Sequence, residues 1–219
     1  MVQRSLSLAD QIFEKLEKDI LAGSYQRGDI LTEAKLCEEL GVSRTPVREA
    51  LRMLEQEHII EDTGKGLLVL GITLNDAEMI YEIRKRVEGL AAAECARNAT
   101  EDQIREMTDV LDLQEFYANK KDSEMVKVQD SEFHQMIYRY CGSAVLYDTL
   151  VPLHKKIQKF RKKSVEGKGR ASQSIEEHRT ILNAIRGRDP EAAEAAMIEH
   201  VGRAQKHVEL MAELESAEN

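Results

Sequence analysis

The sequence predicts a mainly α-helical chain with one small β-hairpin, divided into an N-terminal helical domain and a C-terminal all-α bundle. Charged residues make up 32% of the 219 residues, aromatic residues only 5%, and proline occurs three times. This composition favours helices over an all-β fold. Apolar residues also recur every three or four positions in both halves of the chain, which is the spacing of a buried helix face. A single glycine-rich apolar run interrupts this pattern.

Three helical segments open the chain and form most of a domain that we place at residues 1–71. Apolar residues at helical spacing mark these segments at 7–22, 32–40 and 44–57. Gly41, between the second and third segments, lets the chain leave a helix in a left-handed conformation. The short connection therefore predicts two helices joined by a tight turn.

The apolar run LLVLGI lies among Gly64, Gly66 and Gly71, a pattern that indicates a turn and a strand rather than a helix. We therefore expect a two-stranded hairpin after the third helix, with Gly66 in its turn. Helix, helix, turn, helix and hairpin, in this order, predict a winged helix-turn-helix.

After Gly71 the sequence indicates long helices without strands. Asn75-Asp-Ala-Glu78 and Thr100-Glu-Asp-Gln103 both match a capping box, and Asp189-Pro190 ends one helix and begins the next. We predict six helices at 75–98, 101–118, 121–141, 143–164, 171–187 and 190–216. Residues 72–77 would form the linker and the start of the first of these helices, and residues 78–219 the helical domain.

The charge of the chain allows nucleic-acid binding only at a local surface. The formal net charge is −9, and residues 1–70 carry a balance of −4, which argues against nonspecific polyanion binding. Residues 43–52 are the exception, because their balance is +2. Binding to DNA would therefore be confined to one face of the N-terminal domain.

The basic stretch GVSRTPVREAL predicts a helix that presents cations on one side. With Ser43 as N-cap, Arg44, Arg48 and Arg52 stack at spacing four, beside Thr45 and next to an apolar stripe. Arginines near the start of a helix suit both guanine edges and phosphates. The alternative from periodicity is a solvated helix whose arginines contact acids four residues away.

In context, GVSRTPVREALRMLE followed by a glycine hairpin resembles the winged helix-turn-helix of the GntR family of bacterial transcriptional regulators, over residues 8–70. The resemblance implies a palindromic double-stranded DNA operator and a wing along the minor groove. The candidate DNA-binding residues are Ser43, Arg44, Thr45, Arg48, Arg52, Lys65 and Gly66. The sequence departs from the family at Ala34, where many relatives have a DNA-contacting arginine, and at His58, which replaces the usual glycine before the hairpin.

Four residues of the second half have the character of metal ligands. Asp130 and His134 are four apart on one helix, and His178 and His200 each lie beside an apolar stripe. Three imidazoles and a carboxylate inside a bundle would suit Zn²⁺, with Ni²⁺ or Mn²⁺ as alternatives. The alternative for the Asp130 and His134 pair is an ordinary hydrogen bond. The remaining histidines, His58, His154 and His207, have no such partners and are predicted to be structural or solvated.

The second half resembles the FCD ligand-binding domain of the FadR subfamily of the GntR family, over residues 75–212, in its six-helix, VanR-like form. The motifs DSEFH, EEHRTILNAIRGRD and MIEH match the metal-site pattern of that domain at the four candidate ligands. The resemblance implies an effector-binding and dimerisation domain, in which a small carboxylate effector binds a metal directly.

A carboxylate effector would also need a cation from the protein. Arg84 is the charged residue nearest to the predicted buried stripe of the helix 75–98, and it could hold the effector through paired hydrogen bonds. The alternative is a salt bridge with Glu88 at the rim of the bundle.

The leading hypothesis is thus a homodimeric transcriptional regulator controlled by a small organic acid, and a metal-responsive regulator is the alternative. A metal-dependent enzyme is less favoured, because no general base accompanies the candidate ligands; Glu177 should point about 100° away from His178. The N-terminus has no signal-peptide or membrane pattern, and Cys37, Cys95 and Cys141 match no disulfide or CxxC pattern. We therefore expect a cytoplasmic protein.

Overall fold

The structure is a computed structural model that describes residues 6–158, 160 and 169–217. The chain divides into two compact units, Met1–Thr73 and Leu74–Asn219. Each unit is considered by itself below. The end of the helix predicted at 143–164 lies in part outside the described residues.

Three helices and three short strands form the described part of the first unit. The helices are α1 (Leu8–Leu21), α2 (Glu33–Leu40) and α3 (Arg44–Gln56). The strands are β1 (Ile30–Leu31), β2 (Ile60–Asp62) and β3 (Leu67–Val69). Ser7 and Asp10 form a capping box that begins α1, and Gly41, with a φ of 66°, ends α2 as predicted.

One apolar core joins all these elements. The buried residues of α3 are the predicted stripe, Val47, Ala50, Leu51 and Leu54. They pack with apolar side chains from α1, α2 and the sheet, including Leu16, Leu36, Ile60 and Val69. The core orients α3 so that its other side faces solvent.

The sheet is antiparallel, with the order β1-β3-β2. The predicted hairpin of β2 and β3 is present, but the sequence analysis missed the third strand, because two residues are too few to show a strand period. The hairpin turn is closed by a hydrogen bond of 3.1 Å from the Thr63 amide to the Gly66 carbonyl. His58, which precedes the hairpin, has a φ of 56°, in the left-handed region that glycine prefers.

Six described helices form the second unit, in agreement with the predicted bundle. They are α4 (Leu74–Asn98), α5 (Glu101–Asn119), α6 (Ser123–Tyr140), α7 (Ala144–Lys156), α8 (Arg170–Arg186) and α9 (Pro190–Ala217). Thr100 and Gln103 form the predicted capping box. The one predicted at Asn75 is wrong, since α4 begins at Leu74 and Asn75 lies within the helix.

The helices of the second unit pack side by side around a ring. The long helices α4 and α9 lie against each other, and α9 also packs on α8. Helix α8 contacts α5, α5 contacts α6, and α6 contacts both α4 and α7. This arrangement brings the inward faces of all six helices toward a common interior. Among the described helices, none is long and apolar enough to cross a membrane.

Candidate DNA-binding surface and metal centre

The exposed side of α3 carries the predicted DNA-binding residues. Ser43, Arg44, Thr45, Arg48 and Arg52 are all exposed, opposite the buried stripe of the helix. Ser43 occupies the N-cap position as predicted, although its side chain makes no capping hydrogen bond. The amphipathic pattern of α3 thus produces a basic outward face.

On this face, Arg48 forms a salt bridge with Glu33 of the same unit. Its Nε and Nη2 donate hydrogen bonds of 2.8 and 2.9 Å to the two carboxylate oxygens of Glu33 on α2. The hydrogen bond from Arg48 lowers the pKa of Glu33, which keeps the carboxylate charged. The acid contact considered from the sequence therefore comes from the neighbouring helix and not from an acid four residues away on α3.

The hairpin turn forms the second part of the candidate surface. Lys65 is exposed at its tip, and Gly64 donates its amide to Asp62 Oδ1 at 2.8 Å. Gly66 has a φ of 146°, and a Cβ at this position would lie 2.5 Å from Cγ2 of Ile30. The turn therefore needs glycine here for both conformation and space.

In the second unit, three buried histidines direct their Nε2 atoms to one point. His134 Nε2 lies 3.2 Å from His200 Nε2, and His178 Nε2 lies 3.3 Å from the same atom. All three residues are at most 4% exposed. Asp130 Oδ1 lies 3.6 Å from His178 Nε2 and accepts a hydrogen bond from Ser174 at 3.4 Å. The fold therefore brings the three candidate histidines together and places the Asp130 carboxylate beside His178.

Each imidazole is held through its other nitrogen. The Nδ1 atoms of His134, His178 and His200 lie 2.9, 3.0 and 2.7 Å from side-chain oxygens of Glu88, Gln114 and Glu177 respectively. A carboxylate or amide oxygen accepts a hydrogen bond, so each Nδ1 donates and each Nε2 keeps its lone pair. In metalloproteins, a hydrogen bond of this kind from the nitrogen that does not bind the metal orients the histidine ligand.

The electrostatics of the cluster agree with a neutral His200 and a charged Glu177. Burial lowers the pKa of His200 to about 4, so the ring is neutral at neutral pH. Burial alone would raise the pKa of Glu177, but hydrogen bonds from His200 and Arg170 lower it to about 2. Glu177 is therefore an anion whose charge favours a cation in the cluster.

The donor set fits a divalent transition metal. Ligands 2.0–2.1 Å from a tetrahedral Zn²⁺ are roughly 3.3 Å apart, which matches the two measured Nε2 separations. Three lone pairs at this distance repel each other unless a cation lies between them. His134, His178 and His200 could hold such an ion.

A second buried group adjoins the cluster and includes a residue that the sequence analysis set aside. His154 is only 2% exposed, and its Nδ1 lies 3.1 Å from the Tyr138 hydroxyl. Its ring centre is 5.4 Å from that of His134. The prediction that His154 has no partners near the candidate site was therefore wrong. The apolar stripe of Leu150 and Ile157 on the same side of its segment was the available signal.

Arg84 also belongs to this buried group. It is 3% exposed and forms the salt bridge with Glu88 that the sequence analysis gave as the alternative, but the pair is buried inside the bundle and not at its rim. Burial alone would raise the pKa of Glu88, but the charge of Arg84 holds it well below its usual value. Arg84, Glu88 and His134 thus form a chain of contacts that ends at the histidine cluster.

Three residues that orient the imidazoles were missed in the sequence analysis. Glu177 does point away from His178, as expected, but toward His200, so it belongs to the site after all. Gln114 is the polar residue on an otherwise apolar buried stripe, and Glu88 shares a mostly apolar buried face with Arg84; this irregularity was the signal that could have identified them. Their partners lie 46 and 64 residues away in the chain, which no local pattern shows.

A winged helix-turn-helix with an exposed basic helix, followed by a helical unit with a buried ligand cluster, defines a transcriptional regulator with separate DNA-binding and sensing regions. Residues 8–69 match the family described as bacterial regulatory proteins, gntR family, and residues 79–203 match the FCD domain. The chain belongs to the GntR family of bacterial regulators and carries an FCD domain.

Individual relatives agree with this class. The chain is 27% identical to the uncharacterized HTH-type transcriptional regulator YdhC of Bacillus subtilis, over 95% of this chain and 94% of that protein. It is 27% identical to the gluconate operon transcriptional repressor of Bacillus licheniformis, over 80% and 74% of the two chains. The solved structure of E. coli McbR/YncC has a TM-score of 0.77 at 23% identity and covers 98% of this chain and 100% of its own. These relatives are regulators and not enzymes, and the structural likeness shows the same fold.

Proposed function

We propose that this regulator binds a palindromic operator as a homodimer and that a small carboxylate, bound at a divalent metal in the helical unit, changes its operator affinity. The observation that carries the proposal is the convergence of three Nε2 atoms whose rings are each held by an oxygen acceptor. A buried polar cluster of this kind is costly unless it binds something.

The DNA-binding part of the proposal rests on α3. Arg44, Arg48 and Arg52 would contact base edges and phosphates in the major groove, with Ser43 and Thr45 near the phosphates and the wing residues Lys65 and Gly66 at the minor groove. Since one recognition helix reads only a few base pairs, two copies are needed for a specific operator. Chromosomal DNA as the target implies a cytoplasmic location.

In the metal part, Asp130, His134, His178 and His200 would hold Zn²⁺, or Ni²⁺ or Mn²⁺. The bound ion would act as a Lewis acid for a carboxylate oxygen of the effector. Glu88, Gln114 and Glu177 would keep the imidazoles neutral, oriented and basic.

Arg84 is the residue proposed to bind the effector together with the metal. It has five N–H donors, and its Nε donates to Glu88. A carboxylate that accepted the other donors would join the chain of contacts that runs through Glu88 to His134. Sugar acids are the first compounds to examine, since one relative is named for a gluconate operon.

Effector control can be tested with gel-shift titrations of the full protein on its own upstream region. We expect Arg48→Ala to lower operator affinity by roughly 10- to 100-fold, and Arg105→Ala, an exposed arginine of α5, to have no effect. Addition of the effector should change the affinity of the wild-type protein only after metal loading. Unchanged binding by the Arg48 variant would disprove the assignment of α3.

A metal-responsive regulator is the second candidate, because the ligand cluster itself is complete without an organic molecule. In that case operator affinity would follow the concentration of Zn²⁺, Ni²⁺ or Mn²⁺ at constant buffer and would respond to no organic acid. Operator affinity of the metal-saturated protein, measured with a panel of small organic acids, separates the two candidate functions. A change with any acid favours the acid-controlled regulator, and no change favours the metal-responsive one.

A further inference from the structure

We infer that Gln114 binds the effector, and that the effector carries a second oxygen acceptor besides the carboxylate that ligates the metal. This role rests on the proposed function, in which a metal-bound carboxylate changes operator affinity. One buried amide would then have two tasks, to hold His178 and to bind the effector. The second task narrows the effector to acids with a further hydroxyl, carbonyl or carboxylate oxygen.

The three side chains that hold the imidazoles differ in how their second terminal atom is used. Glu88 and Glu177 each hold an imidazole with a carboxylate, and each carboxylate also accepts from a buried arginine. Gln114 holds His178 through Oε1, at 3.0 Å from Nδ1. The Nε2 atom of Gln114 is buried and has no hydrogen-bond acceptor among the described residues. The amide therefore has an unused donor, whereas both carboxylates are paired on both sides.

The surroundings of this amide make an unpaired donor costly. Gln114 is fully buried, and the other buried residues of its helix, Ile104, Met107 and Leu111, are apolar. An N–H group that leaves water without finding an acceptor loses its hydration and gains no hydrogen bond in return. Such groups are rare in folded proteins. A buried donor beside a ligand cluster therefore indicates that the bound molecule supplies the acceptor.

Metal binding fixes the orientation of the amide. A metal takes the lone pair of His178 Nε2, so the neutral ring carries its proton on Nδ1 and needs an acceptor there. The Oε1 of Gln114 meets this need. With the amide reversed, its NH₂ group would donate to Nδ1, and the proton on His178 Nε2 would point toward His200 Nε2, 3.3 Å away, where the metal belongs. The metal-binding state therefore requires the orientation that leaves the donor of Gln114 unused.

The unused donor lies close to the candidate metal position. The oxygen and nitrogen of an amide are about 2.2 Å apart. Since Oε1 is 3.0 Å from His178 Nδ1, the donor is at most about 5 Å from that atom. An acid with a chain of several carbon atoms can ligate the metal through its carboxylate and reach the donor with a second oxygen.

An amide suits both tasks because it accepts at one end and donates at the other. A carboxylate at position 114 would also hold the imidazole, but its second oxygen would repel an oxygen of the effector. The thioether of methionine has no donor and is only a weak acceptor. Substitutions at this position therefore separate metal binding from recognition of the effector.

Two matched pairs of acids test the contact in the zinc-loaded full chain. The members of each pair have equal chain length but different oxygen content: butyrate with γ-hydroxybutyrate, and hexanoate with gluconate. Titration calorimetry of the wild type should give at least roughly 10-fold tighter binding of the oxygen-rich member of at least one pair. Gln114→Glu should lose that preference and raise zinc affinity by up to about 10-fold. Gln173→Glu makes the same change at an exposed position of α8 and should keep the preference.

Gln114→Met is the second variant, and it adds no buried charge. It should lose the preference between the acids, as Gln114→Glu does, but it should bind zinc more weakly than the wild type, because the Nδ1 proton of His178 then lacks a good acceptor. Opposite changes in zinc affinity with the same loss of acid preference are the result expected of a residue with two tasks. A wild-type acid preference in either variant would contradict the contact.

Nuclear magnetic resonance of the wild type tests the donor without a substitution. In protein with isotope-labelled glutamine, the side-chain amide of Gln114 is assigned through its contacts with the ring of His178. Addition of γ-hydroxybutyrate or gluconate to the zinc-loaded protein should shift this signal downfield and slow its hydrogen exchange, and butyrate or hexanoate should not. An amide signal that responds equally to all four acids would overturn the inference.

The same titrations separate this inference from the proposed function. If the wild type binds the acids but does not distinguish the members of either pair, the role of Gln114 is wrong and control by an acid stands. If none of the four acids binds to the zinc-loaded wild type, both the role of Gln114 and the proposed carboxylate effector fail.

Discussion

Glu33 on α2 holds the guanidinium of Arg48 on α3 through two parallel hydrogen bonds of 2.8 and 2.9 Å. Both side chains are accessible, with 34% and 68% of their surfaces exposed. The contact is therefore worth little for stability, but it restricts where the arginine can place its charge.

Glu33→Gln should make Arg48 available to any phosphate. We expect tighter binding to random-sequence DNA, a smaller ratio of operator to random-sequence affinity, and a salt dependence steeper by about 0.9 in log–log slope. Gel shifts over a range of salt concentrations measure all three quantities. Glu38→Gln removes an equal charge from the same helix, and an identical effect of both variants would show that the contact itself is unimportant.

Glu177→Gln should weaken metal binding by about 10- to 100-fold. The amide keeps the shape of the side chain but removes the charge that faces His200 and Arg170. Competition with a chromophoric zinc chelator gives the affinity. Glu176→Gln, a change at the exposed neighbouring position, should bind metal like the wild type. If the two variants have the same metal affinity, Glu177 has no role in orienting His200.

Metal removal should lower the thermal stability of the protein, because an ion that binds only the folded state stabilises it. We expect the melting temperature to fall after dialysis against a chelator and to recover with Zn²⁺. His178→Ala should lower the melting temperature and bind less metal. In this variant, Zn²⁺ should no longer raise the melting temperature. The control is His58→Ala, a change in the first unit, which should respond to Zn²⁺ like the wild type. A wild-type response in the His178 variant would refute the site.

Gly66→Ala should damage the wing, since a Cβ there would lie 2.5 Å from Ile30 at a φ of 146°. Gly64 also has a positive φ, of 72°, but a Cβ at that position meets no atom within 4 Å. The Gly66 variant should therefore lose more melting temperature and more operator affinity than Gly64→Ala. Thermal unfolding and gel shifts of the pair measure the difference, and equal losses would mean that only the backbone conformation matters.

The sequence by itself determined the helices, the hairpin and the ligand types. Helical periodicity and capping residues are local, so the buried stripe of α3 and Thr100 as the N-cap of α5 could be predicted from a few neighbouring positions. The two-residue strand β1 could not be predicted in this way, because it is defined only by its pairing with β3.

Only the tertiary structure decided how the candidate site is assembled. Glu88, Gln114 and Glu177 reach the three imidazoles across 46, 64 and 23 residues of chain, and His154 joins them from a sixth helix. Such contacts depend on how helices pack, and packing places residues together that share no local pattern. The sequence therefore identified the residues that could bind a metal, and the fold decided which residues hold them in place.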